Sequence, residues 1–231
     1  MRKNTLWCIP GTFFLLACVL NWMGCIQGTD LADAVKPALL PLLCATSLAY
    51  LLGRDVMDYR PVGLLIAAQL FGCAGDVLLM PSSDVLFLIG MVAFLVGHLF
   101  YMTLFGSVSW RGLRPLQWLF AIVVMGVIVT VLVKCIGIQG ELFVPMLVYG
   151  FTLMLLIFSA LAGVLRMPRG SRVTWWILLA GALLFAFSDA CIAMDTFGVI
   201  SFTFLRFVIM ITYLAAQSLL AVGGIRVILG K

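Results

Sequence analysis

Apolar runs of bilayer length follow one another through the whole chain, and this pattern narrows the fold before any motif is considered. Bounded by polar residues, prolines or glycines, they cover about 6–26, 36–52, 62–80, 85–105, 115–136, 142–165, 173–194 and 199–228. About 20 helical residues cross the ~30 Å hydrocarbon core at 1.5 Å per residue. In hydrocarbon every backbone polar group must find its partner inside the protein, so separate runs of this kind span as helices. Residues are 65% hydrophobic and 10% charged, against ~45–50% and ~25% in a soluble domain. The sequence predicts an all-α polytopic transmembrane bundle of eight spans, one integral membrane domain over residues 1–231. The loops are short, so neighbouring spans run antiparallel.

The N-terminal run follows Arg2 and Lys3 and resembles a signal peptide at first sight. Its apolar stretch exceeds the ~7–15 residues of a signal core and no A-x-A-like site follows, so it is expected to stay as the first span. Lys and Arg then set the orientation. Eleven of the 14 fall on the side of the N-terminus, including Arg54, Arg60, Arg111, Arg114, Arg166, Arg169, Arg172 and Arg226. Lys36 and Lys134 fall on the other side, and Arg206 lies within the last span. Positive charge accumulates on cytoplasmic loops. The expected location is therefore a bacterial inner (cell) membrane with both termini cytoplasmic. Asp30, Asp33, Asp84, Glu141 and Asp195 then face outward.

Composition also excludes function classes. The net charge of +5 belongs to these loops and implies no nucleic-acid partner. The seven cysteines form no CxxC pair and lie mostly in apolar runs, as free thiols acting as small apolar groups. With one histidine, His98, and no Cys–His spacing, no metal site is expected. No cofactor motif occurs, and the bilayer is the partner that composition demands.

Two residues break the hydrocarbon-length runs most sharply. Asp76 lies in VGLLIAAQLFGCAGDVLLM and Asp189 in WWILLAGALLFAFSDACIAM, each after a small residue, Gly75 or Ser188. A carboxylate at membrane depth costs at least ~2.5–3.5 kcal/mol and faces a protein interior or a wet cavity. Both spans run outward and both acids precede the outer end by about five residues, roughly 7 Å. Arg206 in the last span, Tyr149 in the sixth and Lys36 at the edge of the second fall in the same layer. His98, Tyr101, Tyr213 and Gln217 lie two or more turns deeper. The acid-bearing spans are four apart, and Pro37 and Pro145 open the spans before them, which suggests a parallel four-plus-four repeat.

Each residue carries a bland reading beside the sharp one. The aspartates could tie helices through Lys36 or Arg206, but buried ion pairs add little stability, which favours a functional pair. Ser188 reads as packing or a supporting hydrogen-bond donor rather than a nucleophile, since no base is near it in sequence. His98 reads as a core histidine before a base. Arg206 either snorkels to the interface or reaches the carboxylates.

The residues then match a known pattern. Lys36-Pro37, Gly75-Asp76 with Leu78-Leu79, His98 with Tyr101, Pro145 with Tyr149, Leu184 to Asp189, and Thr212-Tyr213 with Gln217 together resemble the YhhN family of membrane proteins. The resemblance covers spans two to eight, with Arg206 outside the pattern. It implies a lysoplasmalogenase, a hydrolase that cleaves the vinyl ether of a lysophospholipid to a fatty aldehyde and glycerophosphocholine or glycerophosphoethanolamine. It assigns Asp76 and Asp189 as catalytic acids and needs no cofactor. The remaining polar residues, Lys36, Tyr149, Ser188, Arg206, His98 and Tyr213, are the candidates to bind substrate.

The chemistry agrees with the residues. A vinyl ether resists nucleophiles until an acid protonates its β-carbon and makes an oxocarbenium ion. A neutral carboxylic acid can donate that proton while an ionised one stabilises the cation and activates water. A proton-coupled transporter of a small or lipid-like solute is the alternative use of paired intramembrane aspartates. It favours broken helices near the midplane, whereas these acids sit near one face. A zinc-dependent membrane hydrolase would require several histidines.

Overall fold

The computed structural model describes residues 5–54, 56, 58–81, 83–137 and 142–230. Arg2, Lys3, Glu141 and Lys231, used above for topology, lie outside the described residues. Every element described is helical: α1 Cys8–Gln27, α2 Leu31–Leu52, α3 Arg60–Leu78, α4 Asp84–Ser109, α5 Pro115–Ile136, α6 Phe143–Arg166, α7 Arg172–Thr196 and α8 Leu205–Ile228. All eight are long and apolar enough to cross a membrane.

Local chemistry explains most helix ends. Glycines in the left-handed region close α1 (Gly28, φ 64°) and α5 (Gly137, φ 79°), where a side chain would be strained. Ser83 caps α4 by accepting the Leu86 N–H at 3.5 Å, and Pro61 and Pro115 occupy first turns, where a missing N–H costs nothing.

Two helices begin elsewhere than hydropathy places them. α2 starts at Leu31, so Pro37 and Pro41 lie inside it rather than at its entry. Pro41 has no N–H for the carbonyl of Pro37, and the Cys73 thiol of α3 points to that oxygen at 3.9 Å. α8 starts only at Leu205. The apolar Phe202 and Phe204 belong to the connecting turn, which made the run look continuous. Arg206 is therefore in the first turn of its helix, not seven residues in.

The hairpins α3–α4 and α7–α8 are the most extensive packing units, followed by α1–α2. α6 joins the halves by packing on α4 and α7, and α8 lies against α1, α2, α3 and α4. α5 packs chiefly on α6. The deepest core holds Tyr101, Phe105 and Phe185 among leucines.

Candidate active site

Three helices begin (α2, α4, α8) and three end (α1, α3, α7) at the same pole of the bundle, and residues from all six line a polar cavity. Asp76 and Asp189 both line it, with Lys36 and Tyr213, and its rim carries Asp33, Asp195 and Arg206. Asp76 lies two residues before the end of α3 and Asp189 seven before the end of α7. The common spacing of about five residues from the span ends does not hold, yet both acids line one cavity. Both carboxylates thus open into one chamber. Lys36 stands within electrostatic reach of Asp76.

Each acid accepts a tyrosine hydroxyl. Tyr213 of α8 donates to Asp76 Oδ2 at 2.7 Å, and Tyr149 of α6 donates to Asp189 Oδ2. The first pair is held from behind: Gln217 Nε2 donates to the Tyr213 oxygen at 3.3 Å, and Tyr101 donates to Gln217 Oε1 at 3.3 Å. This relay fixes the Tyr213 hydroxyl so that its proton points at Asp76. Asp76 is buried at 4% exposure, whereas Asp189 remains partly open. The two carboxylates thus have different surroundings, which is how one fold gives two acids different roles.

Phe94 of α4 lies edge-on to both Phe185 and Tyr213 at 6.1 and 6.2 Å. It can sit there because Gly75 has no side chain: a Cβ would come within 2.6 Å of the Phe94 ring. Gly75→Ala should therefore displace Phe94 from beside Asp76. Overpacking of this kind costs about 1–3 kcal/mol, and a lowered midpoint of thermal unfolding in detergent, with reduced activity in the folded fraction, is the expected result. An unchanged midpoint and rate would show that the ring position does not matter.

The structure separates the other candidates. Lys36, Arg206 and Tyr213 line the polar cavity, and Tyr149 lines an apolar groove beside it. Arg206 is paired with Asp33, not with the catalytic candidates, and both side chains are about half exposed. Ser188 lines neither cavity; fully buried, it gives its hydroxyl to the carbonyl of Ile209 at 3.2 Å and ties α7 to α8. His98 is also buried away from both. Its ring lies edge-on to Phe185 at 4.7 Å and beside Tyr149 at 5.6 Å, and neither nitrogen has a hydrogen-bond partner among the described residues.

Sequence reasoning did not single out Asn21, Asp33 or Phe94. Asn21 of α1 lines the cavity and donates to the Ala32 carbonyl at 2.8 Å, joining α1 to α2 at the rim. Asp33 carried a usable signal, standing three residues before Lys36 and so on the same helix face. Phe94 carried none. Among the described residues no group of three or more His, Cys, Asp or Glu could hold a metal ion.

The profile of the YhhN family matches residues 31–224, from the first residue of α2 nearly to the end of α8. The chain is 31% identical over 225 residues to lysoplasmalogenase TMEM86B of Mus musculus, covering 95% of this chain and 87% of that one. It is 30% identical to lysoplasmalogenase TMEM86B of Homo sapiens, covering 92% and 85%. Against lysoplasmalogenase TMEM86A of Homo sapiens the identity is 29%, covering 92% and 87%. No solved structure matches the chain. The matched segment contains both aspartates, both tyrosines that hold them, and Lys36, and leaves out only α1 and the chain ends: this protein belongs to the YhhN family.

Proposed function

We propose that this protein hydrolyses the vinyl ether of a lysoplasmalogen, with Asp76 and Asp189 as its acid–base pair. The observation that carries this reading is that two carboxylates from different hairpins share one cavity, each held by a tyrosine. Support for the substrate class comes from the names of the relatives.

The surroundings assign the roles. Asp76 shares the polar cavity with Lys36, which supplies its counter-charge. The cation on the far rim, Arg206, is engaged by Asp33, so Asp189 is the carboxyl that carries the proton. Asp189 protonates the β-carbon of the vinyl ether, and the resulting oxocarbenium ion lies against the Asp76 carboxylate. Water adds to the cationic carbon and gives its proton to Asp76, leaving a hemiacetal. Asp76 returns that proton to the glyceryl oxygen as the carbon–oxygen bond breaks, and the hemiacetal hydroxyl proton passes to Asp189. The products are a fatty aldehyde and a glycerophospho-headgroup; one water is consumed and both acids regain their starting forms. Lys36 and Arg206 at the rim suit the headgroup phosphate.

Aldehyde release from lysoplasmalogen by purified protein in detergent tests the reading directly. A protein that bound the lipid but released no aldehyde would leave the same carboxylates as a proton-coupled transport site.

The cavity pole is read as the outer one, because the opposite pole carries Arg54, Arg60, Arg111, Arg114, Arg166, Arg172 and Arg226. Reporter fusions after Gly53, Arg111 and Gly170 should report cytoplasm, and those after Gln27 and Ser83 the other side. An inverted pattern would place the active site on the cytoplasmic leaflet.

A further inference from the structure

Beside the polar cavity runs a second space of opposite character. It is bounded by α4, α5, α6 and α7, and among the described residues Tyr149 and Asp189, bonded to each other, are its only polar lining. The two spaces are continuous in their walls: Asp189, Phe94, Phe87, Leu79 and Ile192 line both. The partly open carboxyl of Asp189 therefore stands where a charged chamber meets a greasy one. Along α6 the groove extends from Met146 to Met154, about 12 Å at 1.5 Å per residue. One wall is α5, which packs chiefly on α6 and turns most of its remaining apolar surface outward, Leu119, Phe120, Val123 and Val127 being exposed. The groove thus adjoins the lipid side of the bundle.

We infer that this groove holds the single hydrocarbon chain of the substrate, admitted laterally from the bilayer beside α5, so that chain length and chain number are read there. The inference rests on the hydrolase reading above. The occupant follows from continuity. A single-chain lipid has its reactive carbons between a charged headgroup and an apolar tail, and the cavity and groove present that order of environments with Asp189 at the junction. A chain lying from Tyr149 towards Met154 passes Gly150 and Leu153, with no polar side chain to desolvate. At Gly150 the two walls meet, since a Cβ there would come within 2.9 Å of Val129 on α5, and a second chain beside the first would have to part α5 from α6.

Two measurements test this. A saturated alkyl-ether lysolipid carrying a mid-chain diazirine cannot be hydrolysed, and on photolysis of the wild type it should label peptides of α5 and α6 around Val129, Leu132 and Met154. Met154→Trp fills the deep end of the groove, far from the carboxylates. It should lower kcat/KM for a sixteen-carbon alkenyl chain by about tenfold or more, the range that small changes in an apolar pocket produce, while an eight-carbon chain stays within about twofold. Labelling spread evenly over the outer faces of all helices would overturn the inference, as would equal losses for both chain lengths. If the variant does not fold, the labelling pattern decides alone. Wild-type aldehyde release separates the two ideas. Release with labelling elsewhere sinks the groove and keeps the hydrolase; labelling in the groove without release keeps the subsite and sinks the hydrolase.

Discussion

Purified Asp76→Asn and Asp189→Asn proteins should each release aldehyde from lysoplasmalogen at no more than about a hundredth of the wild-type rate. Asparagine keeps the shape of the side chain and still accepts from Tyr213 or Tyr149 through its carbonyl oxygen, so both variants should insert and purify normally. What each amide loses is the ability to give or take a proton. General acid–base help is worth ~10²–10⁴-fold, and loss of the ionised partner also removes electrostatic stabilisation of the oxocarbenium ion. The pair acts as a unit, so the double variant should be scarcely slower than either single one. Proton transfer to carbon limits the rate in this scheme, and the wild type should slow measurably in deuterated water. Near-normal turnover by either folded Asn variant would make that aspartate structural and end the two-acid mechanism.

The second large effect is in substrate choice. Lysoplasmalogen should be turned over far faster than diradyl plasmalogen, and the ester lysolipid with the same headgroup not at all. The first contrast comes from space: α5 and α6 are in contact where Gly150 lies against Val129 beside the groove, and a second chain would have to remain in the polar cavity among Lys36, Asp33 and Arg206. The second comes from chemistry. Ester cleavage needs a nucleophile, and the serine next to Asp189 in sequence, Ser188, is buried against α8 with its hydroxyl engaged. Parallel assays of the three lipids at equal surface concentration check both contrasts. Comparable turnover of the ester would contradict carbon protonation as the committed step.

Length, hydropathy and loop charge were sufficient to read eight helices in a membrane from the sequence, because a bilayer imposes the same requirement on every span wherever it packs. The two aspartates were legible for the same reason: an acid in hydrocarbon is expensive in any fold. Helix ends at α2 and α8 were not, since hydropathy does not register where hydrogen bonding stops. Proline inside α2 and phenylalanine in the turn before α8 both misled in that way.

Partner choice belonged to the tertiary structure alone. Tyr213 is 137 residues from Asp76, Tyr149 is 40 from Asp189, and Arg206 is 173 from Asp33; depth placed Tyr149 and Arg206 in the layer of the acids but Tyr213 two or more turns below it, where its side chain nevertheless reaches Asp76, and depth could not say who faces whom. Arg206 met Asp33 because α8 begins late and leaves the guanidinium at the rim. Ser188 and Asp189 are adjacent in sequence and point to different neighbours, one into α8 and one towards α6 and the cavities, because successive residues on a helix are turned by about 100°. The apolar groove had no sequence signature at all: its lining residues are ordinary leucines, valines and methionines, and what makes them a site is that packing left a space between α5 and α7 that ends on a carboxylate.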